Sequence, residues 1–352
     1  MFVMIEIDDI LRKMGTTEGA SDVFLTVGSR PQFRVHRKLV PLDLPVLTHE
    51  DTERLCLSIL TEKQKEIFLK ENEYDGAYAI GDEGRYRINM SRQQGHISLV
   101  ARIIMEQVKD YKELGLPAVI QSFAQLQAGL ILITGPTGSG KSTTLAAMLD
   151  FINRTKPSHI VTIEDPIEII HSSKMSTIDQ REVGYDTVSY KEALRRVLRQ
   201  SPDVIMIGEI RDRESAQAAI SLAETGHLTL ATLHTRGTIS ALHRMIEMFP
   251  PEQATQMRSQ LAASLAGVVW QQLIPGVDGN SLVACCEVMT VTSAVRALIL
   301  NGNTHEILSL LQTGKNMGMC SMQQAVDKLE SEGLIKHQKT IEETMAESVM
   351  CL

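Results

Sequence analysis

The sequence predicts an α/β protein with two domains, and three observations lead to this prediction. Short strands, turns and two helices alternate over residues 1–108, a pattern typical of an antiparallel α+β domain. From residue 118 onward, short apolar runs alternate with helical segments, which is typical of a mostly parallel sheet with helical crossovers. The length of 352 residues also indicates two domains, because one domain has roughly 100–200 residues.

Residues 1–108 are expected to form the first domain, with five strands and two helices. The strands are predicted over residues 23–27, 33–36, 77–80, 85–90 and 97–104, and the helices over 48–60 and 62–70. Thr48, with Asp51 three positions later, has the spacing of a helix N-cap. Residues 109–117 are polar and contain Gly115 and Pro117, which indicates a linker.

The second domain is expected to have a core over residues 118–300 and a helical C-terminal tail over 301–352. Its buried strands are predicted at residues 130–134, 160–163, 204–207 and 228–233. Asp212 can cap a helix that runs to Glu224. From about residue 251 to the end, the pattern predicts mainly helix.

Composition favours a globular protein and disfavours several other classes. Hydrophobic residues make up 43% of the chain and charged residues 22%. The net charge of −8 and the 4% of aromatic residues argue against nucleic-acid binding. No apolar run approaches the roughly 18 residues of a membrane-spanning helix, and the acidic N-terminus is unlike a signal peptide. The five cysteines contain no C-x-x-C pair, so we expect reduced thiols and a cytoplasmic location.

A glycine-rich loop follows the first of the predicted core strands. The residues Gly135, Pro136, Thr137, Gly138, Ser139, Gly140, Lys141 and Ser142 fit the P-loop pattern G-x-x-x-x-G-K-[ST], and Thr143 follows them. In this pattern backbone N–H groups and the start of the next helix bind phosphate oxygens. Lys141 is expected to reach the β- and γ-phosphates of ATP, and the hydroxyl of Ser142 to hold Mg²⁺.

Two further core strands end in carboxylates. Glu209 follows the run 204–207, and at the carboxyl edge of a parallel sheet it would face the P-loop and hold Mg²⁺ or its water shell. Glu164 ends the run 160–163 and could orient and deprotonate an attacking water. The alternatives are a solvated acid at Glu209 and a capped strand-to-loop turn at Glu164. His227 and His234 flank the strand 228–233, and taken alone each is more typical of a structural histidine.

In this order the motifs resemble those of the secretion-superfamily hexameric ATPases, most closely the type IV pilus retraction ATPases of the PilT/PilU kind. Four pieces match within the core: the P-loop, an Asp box at 163–168, a Walker B segment at 203–212 and a His box at 226–235. Residues 20–23 resemble the A-S-D-hydrophobic opening of that family. The resemblance covers nearly the whole chain.

The resemblance implies a PAS-like N-terminal domain and a RecA-like P-loop core that assemble as a homohexamer. It implies that His234 is catalytic, and that Arg87 and Arg102 reach the γ-phosphate and stabilise transition-state charge. Without the resemblance, such strand arginines would be interpreted as solvated surface groups. It also implies a Mg²⁺-dependent motor that retracts type IV pilus fibres. Such a motor lies peripherally at the inner face of the cytoplasmic membrane, where its partner is the inner-membrane pilus platform protein.

Several alternatives remain open on the sequence alone. Pilus assembly and type II secretion ATPases resemble the same core, but they are longer and usually carry zinc-binding C-x-x-C pairs. A nucleotide-dependent adaptor and a DNA motor are further candidates. Residues 294–299 (AVRALI) resemble the A-I-R-N-L-I helix of the retraction branch, although they also fit an ordinary amphipathic core helix. The differences at Val295 and Ala297 leave open a divergent accessory retraction paralogue.

Overall fold

The computed structural model describes residues 6–36, 38–81, 83–104, 108–279 and 281–337. Within it the chain divides into two units, residues 1–106 and 107–352. Each unit is described by itself below.

The first unit is built on one antiparallel sheet. Its elements are α1 (Ile7–Thr16), β1 (Ala20–Leu25), β2 (Gln32–Val35), β3 (Lys38–Pro41), α2 (His49–Ser58), α3 (Glu62–Glu71), β4 (Glu73–Ile80), β5 (Gly84–Gln93) and β6 (His96–Ile104). The six strands lie in the order β3-β2-β1-β6-β5-β4. The PAS-like character of this unit stays a prediction.

Capping residues and apolar periodicity in the sequence account for helices α2 and α1 of the first unit. Thr48 accepts a hydrogen bond from the backbone N–H of Asp51, whose side chain in turn accepts from the backbone of Thr48, so α2 begins with a capping box as its spacing predicts. Helix α1 was not predicted. Its apolar residues Ile7, Ile10, Leu11 and Met14 follow the helical period and are all buried.

The second unit places helices around a second sheet. Its helices are α4 (Ala118–Ala124), α5 (Lys141–Thr155), α6 (Tyr190–Val197), α7 (Arg213–Glu224), α8 (Thr238–Glu247), α9 (Ala254–Ser264), α10 (Ser293–Asn301), α11 (Ile307–Thr313) and α12 (Met322–Ser331). Its strands are β7 (Gly129–Thr134), β8 (His159–Glu164), β9 (Thr177–Glu182), β10 (Val204–Ile207), β11 (Leu228–Leu233), β12 (Leu265–Pro275) and β13 (Leu282–Thr290).

The sheet of the second unit is parallel except at one edge. Its strands lie in the order β13-β12-β7-β11-β10-β8-β9, and only β13 runs antiparallel to its neighbour. The four predicted core strands correspond to β7, β8, β10 and β11, which are adjacent and mutually parallel. Their carboxyl ends therefore meet at one edge of the sheet, where α/β proteins bind ligands.

The prediction of mainly helix from residue 251 onward is wrong for residues 265–275 and 282–290. Strands β12 and β13 occupy these two segments and extend the sheet beside β7. Strand β12 is buried along most of its length, so it lacks the alternation that marks a half-buried strand. From α10 onward the described chain is helical, as expected, and the predicted tail beyond residue 337 lies outside the described residues.

The segment predicted as a linker packs against the second unit. Tyr111 is buried in an apolar cluster of that unit and meets the ring of Phe151 edge-on at 5.8 Å. Burial raises the pKa of the Tyr111 phenol. Although the segment 109–117 is mostly polar, the buried ring of Tyr111 anchors it to the second unit.

Candidate nucleotide-binding site

The P-loop connects the end of β7 to the start of α5. Gly138 and Gly140 have φ of 77° and 84°, a region that glycine adopts without strain. A Cβ at Gly140 would lie 2.8 Å from Nε2 of Gln271, so the loop also requires glycine for space. The resulting turn brings backbone N–H groups and the positive end of α5 to one point, which suits a phosphate group.

Lys141 is the first residue of α5 and is 8% exposed. Its Nζ donates to the carbonyl oxygens of Gly135 at 2.9 Å and Pro136 at 2.8 Å. Burial lowers the pKa of Lys141, and the carboxylates of Glu209 and Glu168 counteract this effect. The ammonium group of Lys141 therefore binds two carbonyl oxygens of the loop, and it can exchange them for phosphate oxygens.

The loop fits a nucleotide with Mg²⁺ by the chemistry of its side chains. The buried Oγ of Ser139 has no hydrogen-bond partner among the described residues, although buried hydroxyls are normally satisfied. The exposed Ser142 supplies a hydroxyl oxygen at the start of α5, and Glu209 supplies carboxylate oxygens, which are the hard ligands that Mg²⁺ prefers. Among the described residues, no three His, Cys, Asp or Glu side chains form a cluster that could hold a metal ion.

Gln271 of β12 supports the loop from behind, and the sequence analysis did not single it out. Its Nε2 donates to the carbonyl oxygen of Ser139 at 2.8 Å, and its Oε1 accepts from Thr144 Oγ1 at 2.7 Å. Gln271 is 2% exposed. It therefore joins the P-loop to α5 through contacts that span more than 120 positions of sequence.

Glu209 lies just beyond β10 in a charged network. Its Oε2 accepts from Arg211 Nε at 2.7 Å, and its Oε1 lies 3.5 Å from His234 Nε2. Arg211 also pairs with Asp165 at 3.3 Å, which links the segments after β8, β10 and β11. The structure thus brings together Glu209 and His234, two residues that the sequence analysis placed on different motifs.

The segment after β11 is fixed to the strand before the P-loop. Thr235 donates its backbone N–H to Thr134 Oγ1 at 2.9 Å, and the two hydroxyls lie 2.7 Å apart. His234 therefore occupies a fixed position next to the site. Burial lowers the pKa of His234, and Lys141 lowers it further while Glu209 opposes the change. The neutral imidazole is favoured, a form that can accept or donate a hydrogen bond.

Glu164 ends β8 and is 8% exposed. Burial raises its pKa to about 7, although hydrogen bonds from Thr162 and Gln180 favour the carboxylate. The nearby carboxylates of Glu168 and Glu182 raise the pKa further. A carboxyl group that titrates near neutral pH is suited to general-base catalysis.

The two predicted arginines, Arg87 and Arg102, lie opposite each other on neighbouring strands of the first unit. Arg102 Nε donates to Oδ1 of the buried Asp22 at 2.7 Å, and Arg34 Nε lies 3.4 Å from Oδ2 of the same carboxylate. Asp22 belongs to the A-S-D opening that the sequence analysis identified. The buried carboxylate of Asp22 therefore anchors Arg34 and Arg102 on one face of the sheet.

Arg296, in the segment 294–299, contacts the carboxyl end of α9. Its Nη1 donates to the carbonyl oxygens of Ala262 and Ala263, the latter at 3.0 Å. Val295 and Ile299 of α10 are buried, as the helical period predicts. Arg296 thus caps the carboxyl end of α9 and is partly buried.

Comparisons with known proteins identify the family of this chain. The sequence profile of the type II/IV secretion system protein family matches residues 18–345. The chain belongs to this family. Within the family, it is 41% identical over 325 residues to the type IV pilus retraction ATPase PilT of Pseudomonas aeruginosa, covering 92% of this chain and 94% of PilT. It is 38% identical over 337 residues to the type IV pilus ATPase PilU of the same organism, covering 96% and 88%.

A solved structure extends the similarity to three dimensions. The crystal structure of the pilus retraction motor PilT with bound ADP superimposes with a TM-score of 0.90 at 40% identity, covering 98% of this chain and 97% of that one. The predicted membership in the PilT/PilU group is therefore confirmed, as is the mixed α/β fold of this member of the secretion family. Among the helices that the structure describes, none is both long and apolar enough to cross a membrane.

Proposed function

We propose that this protein is a Mg²⁺-dependent ATPase whose homohexamer powers type IV pilus retraction. One observation carries the proposal: the P-loop, Glu164, Glu209 and His234 lie on adjacent parallel strands or just beyond their carboxyl ends, in a chain 41% identical to PilT over 92% of its length. Relatives named for twitching motility and pilus retraction support the biological process.

Each residue has a distinct part in the proposed hydrolysis. Backbone N–H groups of the P-loop and Lys141 bind the β- and γ-phosphates. Ser142 and Glu209 would hold Mg²⁺, whose positive charge would offset the negative charge of the phosphate oxygens. Glu164 accepts a proton from the attacking water, and His234, beside Glu209, completes the polar edge of the site.

The assembly and its location are part of the same proposal. Arg87 and Arg102 of the first unit supply positive charge to the γ-phosphate in the assembled ring, which makes turnover depend on the oligomer. The ring acts in the cytoplasm, peripherally at the inner face of the cytoplasmic membrane. There it engages the inner-membrane platform protein of the pilus machine, and it does not act on nucleic acid.

Two purified variants test the site. Lys141→Ala should weaken binding of a fluorescent ADP analogue, because the buried ammonium no longer reaches phosphate. Glu209→Ala should keep nucleotide binding and abolish turnover. ATP hydrolysis at the wild-type rate in both variants would refute the proposed site. Wild-type protein that binds the ADP analogue but hydrolyses no ATP would instead favour the nucleotide-dependent adaptor.

A gene deletion tests the direction of force. The retraction motor predicts a deletion strain with excess surface pili and no twitching motility. A strain without pili would instead assign the protein to assembly. A strain with pili and reduced twitching would indicate an accessory retraction paralogue.

A further inference from the structure

Two donors hold the carboxylate of Glu164 by the same oxygen. Thr162 Oγ1 donates to Oε1 at 2.6 Å, and Gln180 Nε2 donates to the same atom at 3.0 Å. Among the described residues, none donates to Oε2. The two contacts therefore saturate one oxygen and leave the other as the proton acceptor.

The orientation of the Gln180 amide is fixed by the backbone on its other side. Its Oε1 accepts from the N–H of His171 at 2.8 Å, and its Nε2 donates to the carbonyl oxygen of Ile169 at 2.9 Å. A backbone N–H can only donate and a carbonyl oxygen can only accept, so the amide cannot be flipped. The remaining N–H of Nε2 must then serve Glu164.

The charges around Glu164 show why an amide at this position matters. Gln180 lies on β9 and is paired in register with Thr162 of β8. Among the described residues, the largest charge effects on Glu164 come from the carboxylates of Glu168 and Glu182, and Glu164 in turn affects the phenol of Tyr190. Two of these three groups repel a negative charge, and none is a cation. The donors on Thr162 and Gln180 are thus the interactions that favour the ionised base.

We propose that Gln180 is a positioning residue for ATP hydrolysis, which holds Oε1 of Glu164 so that Oε2 receives the proton of the attacking water. In this step the water oxygen bonds to the γ-phosphorus. The bond from that phosphorus to the bridging oxygen breaks, and its electron pair leaves with ADP. The inference rests on the proposed function, in which Glu164 is the base.

The test compares Gln180→Met with Asp179→Asn in the full-length protein. Gln180→Met keeps the length of the side chain and removes its donors. The expected result is a turnover number about tenfold lower, with little change in KM for ATP or in binding of a fluorescent ADP analogue. The acidic limb of the kcat/KM profile should move about one unit to higher pH, because the carboxylate loses a donor.

Asp179→Asn is a matched control on the same strand. Asp179 is half-exposed and contacts His159 Nε2 at 2.9 Å, so this variant alters β9 without touching Glu164. It should keep the wild-type profile. Gln180→Glu is the second variant, since it preserves shape and can still accept from His171, and its negative charge should shift the acidic limb further than Gln180→Met.

The outcomes separate this inference from the proposed function. An unshifted pH profile in both Gln180 variants would overturn the positioning role, as would an equal loss in Asp179→Asn. Glu164→Gln is measured in parallel. If Glu164→Gln hydrolyses ATP normally, Glu164 is not the base and the positioning role of Gln180 fails with it, whereas the proposed ATPase activity stands. If Glu164→Gln is inactive while Gln180→Met behaves as wild type, only the role of Gln180 fails.

Discussion

At the scale of single residues, the site contains buried ionisable groups whose surroundings disfavour their charged forms. Lys141 and Glu164 are each 8% exposed, and burial lowers the pKa of the first and raises the pKa of the second. Such groups reduce the stability of the empty fold and become useful when a nucleotide supplies charge. Stability and activity should therefore change in opposite directions at these positions.

Glu164→Gln should abolish turnover and stabilise the protein at alkaline pH. A folded-state pKa of about 7 against an ordinary value of 4.5 means that the carboxylate opposes folding above neutral pH. The wild type should lose stability relative to the variant as pH rises from about 4.5 to about 7, by about 3 kcal/mol in total. Denaturant unfolding at pH 5 and pH 8 checks this, with the exposed Glu214→Gln as control. A difference independent of pH would contradict the raised pKa.

Sequence reasoning found the residues of the site that lie in local motifs and missed those that support them. Lys141 and Glu209 are recognisable because a loop pattern or an apolar strand precedes them. Gln271 and Gln180 carry no such signal, since a glutamine in a strand has no local pattern that marks its partners. Their roles depend on contacts with residues 132 and 16 positions away, which only the folded chain reveals.

At the scale of elements, the four apolar core strands of the second unit were predictable, and its strands β9, β12 and β13 were not. The strands β7, β8, β10 and β11 are short apolar runs between helices, whereas the edge strand β9 is polar and partly exposed. Strand β12 contains two buried glutamines and follows α9 without a break. Its stability in the sheet comes from pairing with β7 and β13, which local periodicity cannot show.

The junction of α9 and α10 gives a prediction at this scale. Arg296→Ala removes a cation from the last carbonyls of α9 and should lower stability by about 1 kcal/mol, with ATPase activity and ring assembly kept. Arg296→Lys should restore part of the stability. Under the retraction proposal, Arg296→Ala should fail to restore retraction to the deletion strain. Thermal unfolding measures the stability, an ATPase assay the turnover and a twitching assay the retraction. If Arg296→Ala lost ATP turnover to the same extent as retraction, the segment 294–299 would have only a packing role.

At the scale of the whole molecule, the division into two units places the arginines and the P-loop on different parts of the chain. The first unit holds Arg87 and Arg102 on its sheet, and the second holds the nucleotide motifs. Asp22 is 3% exposed at its side chain, whereas Arg102 is 65% exposed. The buried carboxylate of Asp22 therefore holds Arg102 at its Nε, while most of the Arg102 side chain remains accessible to a further partner.

The whole-molecule prediction is that turnover requires an oligomer and these arginines. With ATP the protein should elute at six times the mass of the chain in size-exclusion chromatography with light scattering. Arg87→Ala and Arg102→Ala should bind nucleotide and hydrolyse it on the order of 10³-fold more slowly, because transition-state charge is left unmatched. Arg34→Ala is the control, since it also removes a partner of Asp22 but leaves Arg102 in place. A fully active monomer would refute the dependence on the ring. Equal slowing by Arg34→Ala would show that the loss comes from the fold of the first unit.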